Sequence, residues 1–162
     1  MVTLSARDAL RYALQIETNG QAFYREVSAR ARDRNAQLLF ADLADQEARH
    51  YRTFAAMLAK APATPEPSFE ERRQIEAHLQ ALYDRALFGS EERGTALAQQ
   101  AVDETAAVRA AMAFEKDTLL FFFELRDLAP IADGAVLAAI IAEEQEHLRQ
   151  LARVLRDLPW VS

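Results

Sequence analysis

The 162-residue chain has no cysteine. Disulfides, iron–sulfur clusters and thiolate zinc sites are therefore excluded, and any bound metal must be held by carboxylate and imidazole. Glycine and proline are scarce, at 4 and 5 residues, so few positions interrupt regular structure. No run approaches the roughly 20 apolar residues of a membrane span, and no membrane association is expected. Basic charge is in deficit: 19 Lys and Arg face 25 Asp and Glu, a net charge of −6. A nucleic-acid surface needs a basic face, so no such partner is expected. The opening MVTLSARDALRYAL carries Asp8 among its apolar residues and lacks the h-region of a secretory signal. A cytoplasmic location is the default expectation.

What the chain does contain is helix-forming. Alanine, leucine, glutamate, arginine and glutamine dominate, a mixture that favours helix over strand. Helical spacing of the apolar residues predicts a first helix over about 5–32 and a second over about 35–60. The second stops at APATPEP, whose prolines break the pattern. Ser68 and Glu71 form a capping-box signature that opens a shorter helix ending near Gly89. A weak helical stretch around Thr95–Ala101 follows. The long segment TAAVRAAMAFEKDTLLFFFELRDLA ends at Pro130, and a last helix covers about Ala135–Leu158. The expectation is one all-α domain over 1–162, with helix pairs at 5–61 and 104–158. A partly helical crossover, 62–103, joins the second helix to the third. Four-helix bundles with one long connection have the ferritin-like arrangement.

The two pairs repeat each other. An offset of 98 aligns Ala9, Arg11, Ala13, Glu17, Phe23 and Glu26 with Ala107, Arg109, Ala111, Glu115, Phe121 and Glu124. An offset of 97 aligns Glu47 with Glu144 and His50 with His147. Each helix also carries a seam at 3,4 spacing. The second reads Phe40, Leu43, Glu47, His50, Phe54, Met57, and the last reads Leu137, Ile140, Glu144, His147, Leu151, Val154. The first reads Leu10, Ala13, Glu17, Gly20, Tyr24, Val27, and the third reads Val108, Ala111, Glu115, Thr118, Phe122, Leu125. These seams are apolar or small except near their middles, where acids and histidines stand.

A lone Glu-x-x-His is most often an exposed pair on a helix face. Here two of only three histidines have one, both mid-seam and at equivalent repeat positions. Burying unpaired carboxylates costs several kcal/mol each, so four in one layer need compensation. Two Glu-x-x-His motifs plus one Glu from each remaining helix make the di-iron or di-manganese carboxylate set of such bundles. Oxygen-rich ligation with two imidazoles suits two Fe ions or manganese, and zinc also fits. Tyr24, one face with Glu17, is placed to hydrogen-bond a ligand or a bound oxidant, or simply to pack as a core tyrosine. His78 lacks the motif and is read as a surface or crossover residue. The run LLFFFEL is read as core or dimer-interface packing.

At these residues the chain resembles the rubrerythrin-like branch of the ferritin-like superfamily. IETNGQAFY, ADQEARHY, AFEKDTLLFF and IAEEQEHLRQL are similar to that family's segments. The resemblance covers all four bundle helices. It implies Glu17 and Glu115 as terminal ligands, Glu47 and Glu144 as bridges, and His50 and His147 as one imidazole per metal. It also implies an oxidoreductase, a peroxide reductase or ferroxidase, acting on peroxide or dioxygen in oxidative-stress defence. A homodimer and an external electron-donor protein belong to the same expectation. Iron storage or delivery, and a metal-stabilised bundle without turnover, are the alternatives. The chain departs from full-length rubrerythrins in having no cysteine for a rubredoxin domain. It departs further in placing Thr118 where many have a second carboxylate, and Phe122 and Phe123 where many relatives have tyrosines.

Overall fold

The computed structural model describes residues 5–63, 68–82, 91–128 and 134–158. Helix α1 spans Ala6–Arg30, and the Ser5 hydroxyl caps it by accepting the Asp8 amide. Asp33 does the same for α2, Arg34–Lys60, by accepting the Ala36 amide. Each cap satisfies one of the amides that a helix start leaves without a partner. At the far end of α2, Arg7 donates to the carbonyls of Leu58 and Ala61 at 3.2 and 3.1 Å. The guanidinium thereby ties the end of α2 to the start of α1.

The capping box forms as the spacing predicts, and it opens α3, Phe69–Leu82. The Ser68 amide donates to Glu71 Oε2 at 2.8 Å, and the Glu71 amide donates to Ser68 Oγ at 3.3 Å. The expected end near Gly89 lies outside the described residues. Helix α4 spans Glu91–Gln100, starting earlier than the expected Thr95. It packs on α1, with Arg30 donating to the Ala98 carbonyl at 3.0 Å. Gly94 makes that approach possible: a Cβ there would lie 2.2 Å from the Asn19 carbonyl oxygen.

Helices α5, Glu104–Leu128, and α6, Gly134–Asp157, form the second hairpin. All six elements are helices, and no strand occurs among the described residues. None of the described helices is long and apolar enough to cross a membrane. The seams are buried along their length, with Val154 half-buried as the exception. In the LLFFFEL run, Phe121 and Phe122 enter the core, whereas Leu120 is exposed and Phe123 lies under the Arg126 guanidinium. His78 is exposed.

Apolar packing falls into two bodies. One gathers Leu10, Ile16, Phe54, Met57, Phe122, Leu125 and Leu137, and the other gathers Phe23, Tyr24, Phe40, Leu43, Val108 and Leu151. Each fully buried large side chain stabilises the fold by about 1.5–3 kcal/mol. Along every seam helix, the acidic and histidine positions fall between residues of one body and residues of the other. The polar layer is held from both sides.

Candidate metal centre

The four seam helices deliver Glu17 from α1, Glu47 and His50 from α2, Glu115 from α5, and Glu144 and His147 from α6. All six side chains are buried. They form two clusters whose ligand atoms lie within 4.8 Å of one another: Glu17, Glu47, His50 and Glu144 in one, and Glu47, Glu115, Glu144 and His147 in the other. Glu47 and Glu144 belong to both. A pair of shared carboxylates flanked by one Glu and one His on each side is the layout of a dinuclear site.

Both imidazoles turn Nδ1 inward. His50 Nδ1 lies 2.8 Å from Glu144 and 3.6 Å from Glu17. His147 Nδ1 lies 2.8 Å from Glu144, 3.5 Å from Glu115 and 3.6 Å from Glu47. These contacts are at ion-pair distance but off the hydrogen-bonding direction. Both Nδ1 atoms, both oxygens of Glu17, Glu47 and Glu144, and Oε2 of Glu115 are buried without a hydrogen-bond partner. So many orphaned acceptors in one place are a large cost that cations would relieve. Four carboxylates and two divalent ions sum to zero charge, with both imidazoles neutral. The donor set therefore fits two metal ions.

Electrostatics describe what happens without them. Burial drives Glu17 and Glu47 well above the ordinary carboxylate value; the contact with Glu47 pulls Glu17 back in part, and the charges of Glu144 and Glu115 raise both. Burial, then the charge of Glu144, raises Glu115 to about 7 against the pull of His147. Burial alone would lower the histidines, but contact with Glu144 and its charge raise His50 to about 9. Glu115 and Glu144 together raise His147 to about 11. Burial opposes the Glu144 charge too, yet contacts from His147 and His50 hold it below the usual carboxylate range. Protons thus occupy the layer that cations would fill.

The Tyr24 hydroxyl donates to Glu115 Oε1 from a fully buried ring. Gly20 stands against Glu47: a Cβ there would come within 3.0 Å of Glu47 Oε2. Thr118, its repeat mate, is buried. Sequence reasoning missed two residues on the outer side. His50 Nε2 meets Glu143 Oε2 at 3.2 Å, and His147 Nε2 meets Gln46 Oε1 at 3.0 Å. Each stands one place before a seam glutamate, where it reads as ordinary solvated surface. The repeat offset of 97, which pairs them, is the signal that was there to find.

Fold and cluster together define a ferritin-like helical bundle with a carboxylate–histidine centre suited to two metal ions. The chain belongs to the rubrerythrin family, whose model matches residues 8–155. It is similar to a solved structure from Thermotoga maritima, described as a ferritin-like diiron-carboxylate protein, at 25% identity with a TM-score of 0.74. That likeness covers 96% of this chain and 97% of the other. No curated protein matches the chain.

Proposed function

We propose that the chain is a single-domain, non-haem di-iron redox protein that reduces peroxide or dioxygen with electrons from a separate donor protein. The observation that carries this reading is the pair of overlapping clusters sharing Glu47 and Glu144. Glu17 and Glu115 are its terminal ligands, Glu47 and Glu144 its bridges, and His50 and His147 its nitrogen ligands. Bound there, two iron ions would supply Lewis acidity and two electrons to an O–O bond. The chain's own part is to strip water from the layer with the two apolar bodies and to fix the imidazoles from outside. Tyr24 orients Glu115 and holds a proton at its hydroxyl oxygen beside the centre. Burial and the carboxylate charges keep that phenol protonated, well above its ordinary value.

The test is anaerobic loading with Fe(II), followed by peroxide or oxygen. Two ions per chain are expected. Ferric absorption in the near ultraviolet should then grow as Fe(II) available to a chelator is lost. Failure to take up iron would sink the reading. Many irons per chain in a large shell would favour storage, and stable occupancy inert to both oxidants would favour a purely structural metal. The reading also includes a homodimer and a cytoplasmic setting. The dimer draws support from α3, whose Phe69 is 83% exposed. Its check is the molar mass in solution.

A further inference from the structure

The six buried side chains repeat across the pseudo-two-fold, but their supporting contacts do not. Gln46 and Glu143 are repeat mates, so the same place in the fold holds a neutral amide beside His147 and a carboxylate beside His50. With a metal ion on Nδ1, the remaining ring proton would sit on Nε2 and be donated outward to these partners. A carboxylate acceptor draws that proton more strongly than an amide does, and makes the inner nitrogen a more basic ligand. This outer contact therefore favours the His50 nitrogen as a metal donor.

A second asymmetry lies on the opposite helices and acts in the same sense. Tyr24 donates its hydroxyl to Glu115. Its repeat mate is Phe122, a ring without a hydroxyl that packs on Phe54 at 5.1 Å between centroids. The phenol draws charge from Glu115, while both oxygens of Glu17 have no hydrogen-bond partner and keep theirs for a cation. Glu17 and His50 face one position, and Glu115 and His147 face the other.

We propose that the two metal positions are unequal by construction: the Glu17–His50 position binds a divalent ion first, and Glu143, Gln46 and Tyr24 are the positioning residues that set this order. The inference rests on the reading of the cluster as a dimetal centre. It concerns the affinity and filling of that centre, whatever oxidant it meets.

The full chain, freed of metal, is titrated anaerobically with Co(II). Proton NMR follows the shifted exchangeable ring N–H of each histidine, and calorimetry follows the affinities. Repulsion between two divalent ions separates the steps even in a symmetric site, so the identity of the first position decides the matter, and the number of steps does not. Glu143→Gln perturbs the His50 resonance and Gln46→Glu that of His147, which assigns them. In the wild type, the first equivalent is expected to shift His50. Glu143→Gln should weaken first-ion binding roughly tenfold, so that both resonances grow together. The double exchange Gln46→Glu with Glu143→Gln should make His147 respond first. Tyr24→Phe should tighten the second ion several-fold. Glu143 is half-exposed and Gln46 half-buried, so their variants keep the fold, and circular dichroism is the control for these and for the buried Tyr24→Phe. Parallel growth in the wild type, His147 leading, or an order unmoved by the double exchange would overturn the inference. Two bound ions without a preferred order overturn it alone, whereas no cobalt bound at two equivalents overturns the dimetal reading with it.

Discussion

At position 20 the absence of a side chain sets how Glu47 can sit. A methyl group there would lie 3.0 Å from Glu47 Oε2 and 3.1 Å from Phe114. The carboxylate can swing by the few tenths of an ångström required, and alanine is the better helix former by about 1 kcal/mol. Gly20→Ala is thus expected to leave metal-free stability unchanged or raised while weakening divalent-ion binding roughly tenfold, the effect expected when a ligand is misoriented. Urea unfolding and metal titration on the same sample separate the two effects. Sharing of ligands makes a different distinction. Glu47 and Glu144 belong to both clusters, whereas Glu17 belongs to one. Metal analysis should therefore find near-complete loss of both ions in Glu47→Ala or Glu144→Ala, and retention of one in Glu17→Ala.

Among the elements, α4 depends on the narrowest tolerance. Its Gly94 meets backbone, the Asn19 carbonyl, and no rotamer change can make room for a Cβ at 2.2 Å. Gly94→Ala must push α4 off α1, and a loss of about 1–3 kcal/mol is expected despite the gain in helix propensity. Thermal unfolding with and without metal checks it. The N-caps offer a milder comparison: Asp33→Ala removes the acceptor for the Ala36 amide and should cost about 1 kcal/mol. The same elements show what was legible in the sequence. The four seams and all six cluster residues follow from 3.6-residue periodicity, because Phe40, Glu47 and Phe54 share a face whatever the tertiary detail. The extent of α4 does not follow. A glycine inside a weakly apolar stretch reads as a breaker, and only the contact with Asn19 shows it to be an approach point. Glu143 and Gln46 were hidden for a related reason: their role depends on which imidazole stands opposite, and that is set by the packing of α2 against α6.

For the whole molecule, the protons in the centre couple stability to pH. Glu17, Glu47 and Glu115 are raised above their ordinary value of 4.5, and His50 and His147 above 6.5. The folded, metal-free protein therefore holds protons that the unfolded chain releases. Their contribution is fully present below the unfolded values and is lost as pH rises. Glu115 accounts for the window from about 4.5 to about 7, and the histidines for that from about 6.5 to about 9 and about 11. Glu144, lowered, works in reverse: its contribution is present above 4.5 and is lost as pH falls. The balance of one group against five predicts a metal-free melting temperature that declines from pH 6 to pH 9. Divalent ions take the place of the protons, so the melting-temperature gain on adding Mn(II) should widen over the same range. Calorimetric scans of both forms at several pH values check the sign.

The two hairpins, each bringing two glutamates and a histidine, are joined by a crossover that α4 pins to α1. Two chains that traded their second hairpins would rebuild the same bundle interior and the same centre, with no new contact required inside either one. Such exchange is a low-cost route to dimers wherever a long connection allows it. What resists it here is the α4–α1 seat at Gly94, which holds the connection against its own first hairpin up to Gln100, shortly before α5 begins at Glu104. A glycine that binds no metal is thus expected to help keep the two halves of one centre in the same chain.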